Sequence, residues 1–211
     1  MASTFFFGLV ALGLIYALAA LQGRDSTLGL ILSGIILSGF FAALVSLMQY
    51  LADSEETLPN IVFWLLGSFA TASWHKVLLM SLPMALAAGV LWKLRWRINL
   101  LALEDKTARS LGVNVTRSRI VISVIAVLLA SISTAVIGPI SFLGLIVPHI
   151  ARLLVGSNHK VLVPYSIQLG AFTLLLADTL GRTIAAPYEI SAAIIMSVIG
   201  GPFFILLLRR S

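Results

Sequence analysis

Gly138-Pro-Ile-Ser-Phe-Leu-Gly-Leu-Ile-Val-Pro-His-Ile-Ala-Arg-Leu-Leu-Val-Gly156 is the stretch that decides how this chain is read. It is apolar enough to lie in a bilayer, yet it carries two prolines, three glycines, a histidine and an arginine. Pro139 follows Gly138 at the expected start of a helix, where a missing N–H costs little. Pro148 lies inside the segment and removes a backbone hydrogen bond that something else must replace. His149 and Arg152 are three residues apart and share one face of a helix. Polar groups within lipid are costly and face protein or water.

The rest of the chain agrees with a membrane setting. Of 211 residues, 60% are hydrophobic and 10% charged, against about 25% charged in a soluble domain. The expected fold class is all-α: a polytopic transmembrane bundle of about seven spans. The spans are expected at Phe5–Leu21, Thr27–Leu51, Val77–Trp92, Ile120–Ile137, Gly138–Val155, Leu162–Leu180 and Ile190–Leu208. Asn60–Ala70 is too short to cross and reads as a half-helix with Trp64 as its interfacial anchor. Pro83 is expected to bend the third span, and Gly200-Gly-Pro202 to break or bend the last. The first segment lacks a positive region ahead of its apolar run, which favours a span over a signal peptide. There are no cysteines, hence no disulfides and no thiolate sites.

Charge fixes the expected orientation. The connection Lys93–Arg119 holds seven basic residues, and placing it in the cytoplasm leaves only Lys76 and Arg182 outside among the 14. With seven spans the N-terminus is then outside and the C-terminus inside. Nucleic-acid binding is a poor account of the net charge of +6, because the basic residues sit between apolar spans.

Three segments carry a resemblance: GPISFLGLIVPHIARLLVGSNHKVLVP, then LADTLGR, then IGGPFFILLLRR. Together they resemble the C-terminal part of the FecCD-type permeases, the membrane subunits of ABC importers for iron–siderophores, haem, vitamin B12 and some oxyanions. The likeness runs from about Leu28 to the end of the chain and is specific for family rather than substrate. It implies a permease subunit, not an enzyme, in a bacterial or archaeal inner membrane. The implied partners are a second permease chain in a homodimer or a related pair, two cytoplasmic ATPases and an external binding protein. ATP and Mg would be bound by the ATPases, since no phosphate loop occurs here. An iron–siderophore or similar metal chelate is the implied cargo. The family has about ten spans, so about three at the N-terminus are expected to be missing from 1–211, either truncated or supplied by another chain.

Several residue groups are candidates for function. Gly34, Ser38, Ala42 and Ser46 recur every four residues along the second span, widened by Ser33, Gly39 and Ala43. Such a stripe permits close helix packing or lines a passage for a bulky hydrophilic cargo. The resemblance places this helix on the pathway at the dimer axis. Ser26 and Thr27, at its start, are either plain N-caps or, by resemblance, the inner gate.

Within the cytoplasmic segment 98–117, Glu104 and Asp105 suit the first turn of a short helix, Arg109 its later part and Gly112 its stop. Ala108 and Leu111 are expected to form an apolar knob, either docked in a partner's groove or resting on the membrane surface. By resemblance, Glu104, Ala108, Arg109, Leu111 and Gly112 belong to a coupling helix inserted into the ATPase.

His149 and Arg152 are expected to be structural, His149 bonding to a neighbouring helix and Arg152 snorkelling to the inner headgroups. No metal site is expected, because His75 and His159 fall near opposite faces. Asp178 and Arg182, four apart, suit an ion pair at the outer end of a span. An ion-coupled secondary transporter using Asp178 is one alternative function, and a non-transporting assembly subunit left by truncation is another.

Overall fold

The computed structural model describes residues 2–21, 27–70, 72–103, 105–184 and 186–208. Among these residues all regular structure is helical: α1 Ala2–Leu21, α2 Thr27–Leu51, α3 Thr57–Leu65, α4 Trp74–Leu101, α5 Asp105–Ser110, α6 Val115–Ile137, α7 Leu143–Val155, α8 His159–Ile184 and α9 Ala192–Leu208. Five helices are long and apolar enough to cross a membrane: α1, α2, α4, α6 and α8.

Two of the expected seven spans are shorter. The 13 residues of α7 rise about 20 Å, against a hydrocarbon core of about 30 Å. The 17 residues of α9 rise about 25 Å. The helix over the Gly138 stretch starts late for a backbone reason. Gly138 ends α6 with φ +76°, and Phe142 takes the left-handed conformation with φ 64° before α7 begins. The five residues 138–142 after α6 are therefore spent on a turn rather than on a helix.

The long helices run past the limits expected from composition. Lys93, Arg95 and Arg97 stay inside α4, which continues to Leu101. Their stems lie along apolar surface while the charges reach outward, and the Arg95 guanidinium stacks 4.1 Å from the Trp92 ring centre. At the other end of the fold, α3 begins at Thr57 and ends at Leu65, earlier than the expected Asn60–Ala70. Gly200-Gly-Pro202 does not break the last helix, for α9 is continuous through it.

The bundle is built by serial packing. α1 lies on α2 and α6, α4 on α6 and α8, and α8 on α7 and α9. Gly8 of α1 allows close approach to α6: a Cβ there would lie 2.7 Å from Ser131 Oγ. The Tyr16 hydroxyl and Ser123 Oγ pair at 3.1 Å across the same contact. The buried core gathers Ile146, Ala177, Ala192 and Met196 where α7, α8 and α9 meet, with Phe69 and Phe203 packed on it.

Candidate functional site

The small residues of α2 lie on two different faces. Gly29, Ser33 and Leu37 form the buried row, with Ser33 fully covered. Ser33 Oγ has no hydrogen-bond partner among the described residues. Ser38, Ala42 and Ser46 are exposed and Gly34 is half-buried, and no atom lies within 4 Å of a Cβ built at Gly34 or Gly39. Close packing within the chain therefore uses the Ser33 row, on a face separate from the Gly34–Ser46 stripe. The stripe itself faces away from α1 and is free to meet another chain or a passage. Ser26 lies outside the described residues, and Thr27 opens α2.

A cavity of about 590 Å³ lies between the second half of α2 and α3. Phe41, Met48 and Trp64 line it, together with Glu56, Thr57 and Asn60. Its lining is mostly apolar, with these three polar side chains among it. It lies at the same end as the backbone junction that holds α3. There Gly67 has φ +63° and Gly138 φ +76°, and the two backbone segments touch. A Cβ on Gly67 would lie 2.4 Å from the Pro139 carbonyl oxygen. Ser191 Oγ donates to the carbonyls of Leu66 and Gly67 and accepts from Ala193 N at 3.2 Å. Phe142 closes the junction against α9, where a Cβ on Gly200 would lie 2.7 Å from its ring. Gly67 falls in the segment expected as a half-helix, while no role was expected for Phe142 or Ser191.

At the opposite end stands α5. Gly112, with φ +81°, stops it as expected. Gly112 N donates to Arg109 O at 3.0 Å and Val113 N to Ala108 O at 3.2 Å, the paired bonds of a Schellman stop. The expected knob is only half present. Ala108 is fully buried within this chain, while Leu111 is 54% exposed. Ala108 thus anchors the short helix and Leu111 projects. Arg109 is exposed and Glu104 lies outside the described residues. Beside this turn is a cleft of about 500 Å³ lined by Trp96, Arg97, Leu111, Asn114 and Arg117.

The polar pairs resolve differently. The His149 ring meets Phe203 edge-on with centres 6.4 Å apart, so its partner on α9 is an aromatic ring instead of the expected hydrogen bond. Arg152 is exposed and, with His159, borders an apolar groove of about 770 Å³ between α4, α7 and α8. Arg182 Nε donates to Asp178 Oδ2 at 2.9 Å, and Arg182 Nη1 lies 4.0 Å from Glu189 Oε1. No cluster of three metal-binding side chains occurs among the described residues.

One polar contact was not foreseen. Asn99 Oδ1 accepts from the His159 backbone N–H at 2.7 Å and pairs with His159 Nδ1 at 2.8 Å. Asn99 Nδ2 donates to Asn158 Oδ1 at 3.0 Å. The sequence signal was an isolated amide in the apolar run Ile98-Asn-Leu-Leu-Ala-Leu103.

Residues 1–210 match the model of the FecCD transport family. The chain is 44% identical over 202 residues to the molybdate import system permease protein MolB of Haemophilus influenzae, covering 96% of this chain and 60% of that protein. It is 39% identical over 207 residues to a probable iron chelatin transport system permease protein of Helicobacter pylori, covering 98% and 63%. A solved structure described as an inward-facing metal-chelate type ABC transporter superposes with a TM-score of 0.84 at 44% identity, covering 92% of this chain and 63% of that one. The chain thus spans about 60% of the length of the curated relatives it matches.

Proposed function

This chain belongs to the FecCD transport family, and from that premise we propose that it works as the membrane-embedded permease of an ATP-driven importer. The observation that carries the reading is α5. It is a six-residue helix with a glycine stop, anchored by Ala108 and presenting Leu111 and Arg109. A short helix held rigidly at a bundle's end, with one apolar side chain projecting, suits docking in a partner's groove.

In this reading α5 and the segment 98–117 lie in the cytoplasm, with the N-terminus outside and the C-terminus inside a bacterial or archaeal cytoplasmic membrane. Two ATPase subunits, holding ATP and Mg, grip the α5 helices of two permease chains. The stripe Gly34–Ser38–Ala42–Ser46 faces the second copy across a passage, with Ser26 and Thr27 at its inner mouth. The cavity between α2 and α3 opens outward, where an external binding protein delivers cargo. ATP-driven closure moves the α5 helices and switches access between two states. Relatives named for iron chelates and molybdate support a small hydrophilic metal complex as cargo, an iron chelate first.

The test is capture of the ATPase. The full chain, purified in detergent with the ATPase encoded beside it, retains that subunit, and Leu111→Asp with Arg109→Glu releases it. A folded wild type that captures no ATPase overturns the reading. Capture of ATPase without uptake marks an assembly subunit instead. For a secondary transporter driven through Asp178, no observation speaks, since its carboxylate is engaged by Arg182.

A further inference from the structure

We infer that Asn99 is a positioning residue that locks the end of α4 to the start of α8, so that the two move as one body when α5 is pushed. The inference rests on the coupling role proposed for α5, and the locking itself rests on geometry alone.

Asn99 lies in the last turn of α4, six residues before α5 begins. Its backbone carbonyl accepts from Ala102 N at 3.3 Å and so closes α4. Its side chain meanwhile opens α8. The first turn of any helix has N–H groups with no partner inside the helix. In α8, Lys160 N donates to Asn158 Oδ1 at 3.1 Å, and Val161 N and Leu162 N donate to Asn158 O at 3.0 and 2.9 Å. The remaining N–H, that of His159, is taken by Asn99 from 60 positions upstream. The His159 ring and the Asn158 side chain add a second and a third bond to the same amide. One carboxamide therefore uses both its oxygen and its nitrogen to join two helix ends. An apolar residue at position 99 offers neither group, and a hydroxyl has its donor and acceptor on one atom instead of a separate oxygen and nitrogen.

The consequence is mechanical. α5 touches the ends of α4 and α6. From α6 a displacement passes to α1 and then α2, which pack in series. From α4 it passes to α8, and through α8 to α7 and α9. Without the Asn99 bonds the last turn of α4 loses this polar attachment to the start of α8, and the short helix hangs from a hinge.

The chain has no native cysteine, so a spin-label pair placed at Ala102→Cys and Ile184→Cys reports on α4 against the far end of α8 without background. Both positions are exposed. The 26 residues of α8 span about 39 Å, within the range of dipolar spectroscopy. The full chain in nanodiscs is measured alone, with the ATPase, and with ATPase plus ATP and vanadate. The expected wild-type result is one narrow distance, unchanged across the three states. Asn99→Leu is expected to lose that narrow distance and to make it respond to nucleotide. Asn99→Asp, which keeps the acceptor for His159, is expected to retain it, and serves if Asn99→Leu does not fold. A narrow, nucleotide-insensitive distance in Asn99→Leu overturns the inference, as does a wild-type distance that changes with ATP and vanadate. Failure of the ATPase to bind counts against the importer reading, while the permease measured alone still decides whether Asn99 holds α4 to α8.

Discussion

Gly138 and Gly67 meet backbone to backbone: a Cβ on Gly138 would lie 2.8 Å from Gly67 Cα and 2.4 Å from the Trp64 carbonyl oxygen. Both residues have positive φ, so a side chain at either adds torsional strain to a steric clash. Gly138→Ala is expected to destabilise the fold by about 1–3 kcal/mol, read as a lower midpoint of thermal unfolding in detergent. Gly34→Ala, where nothing lies within 4 Å, is the control and should leave that midpoint in place.

Ser191 ties the same junction to α9. It is 8% exposed, and its hydroxyl bonds to carbonyls of the loop after α3 while accepting from Ala193 N. Ser191→Ala removes a helix cap and leaves buried carbonyls short of a donor, a loss of about 1–3 kcal/mol. Ser191→Thr keeps the hydroxyl and is expected to recover part of it. Protease sensitivity at the Ser68–Ser73 loop, compared among the three proteins, checks the order.

Much of this architecture was legible in the sequence, and the failures have physical causes. Long apolar runs announced α1, α2, α4, α6 and α8, because a membrane span needs length and few charges. The same criterion gave α7 and α9 more helical residues than they have. An apolar run says nothing about how many of its residues are helical, and Gly138 and Phe142 spend theirs on a turn. Charges misled in the other direction, for Lys93–Arg97 were read as a connection although long basic side chains sit easily on a helix that leaves the bilayer. At the coupling segment, Gly112 was readable as a stop because its role is local. Ala108 was not, because whether a small residue on a short helix points inward depends on α4 and α6. Asn99 was missed for the same reason, its partners being 59 and 60 positions away.

Ala108 and Leu111 are three residues apart on the chain, yet they are expected to fail differently when changed. Leu111 is 54% exposed and Ala108 fully buried. Leu111→Asp should leave the unfolding midpoint alone while weakening ATPase capture by about tenfold or more, the size typical of an apolar anchor at an interface centre. Ala108→Leu should lower the midpoint, since it forces extra methylenes into a packed site at a cost of about 1–3 kcal/mol. Titrating the ATPase against immobilised permease, alongside a melting curve for each variant, separates the two effects.

Asp178 separates two transport classes. Its carboxylate accepts from Arg182 on the next turn of α8, with Arg182 45% and Asp178 24% exposed, and an exposed pair of this kind contributes little to stability. Asp178→Asn is therefore expected to fold normally and, under the proposed importer reading, to leave cargo uptake in proteoliposomes holding the ATPase dependent on ATP and indifferent to a proton gradient. Loss of uptake in Asp178→Asn, together with gradient-driven uptake in the wild type, points to ion coupling instead.

The α2 stripe makes the most direct claim about a passage. Ser38, Ala42 and Ser46 are exposed on a face that α1 leaves free, whereas Ser33 is fully buried. A lipid-facing position and a passage-facing position are equally bare in an isolated chain, but they differ in water. Thiols react with maleimides as thiolates, which form in water and not in hydrocarbon. The protein lacks native cysteine, so single Cys replacements at 33, 38, 42 and 46 report without interference. In membranes holding the assembled importer, Ser38→Cys, Ala42→Cys and Ser46→Cys are expected to react with a membrane-impermeant maleimide, and Ser33→Cys to stay silent. Ile36 and Leu47 (60% and 48% exposed), which share another face of α2 away from the stripe, are replaced likewise as the controls. Equal silence at 38, 42, 46 and these controls would mean that the stripe packs on another helix and that the passage runs elsewhere.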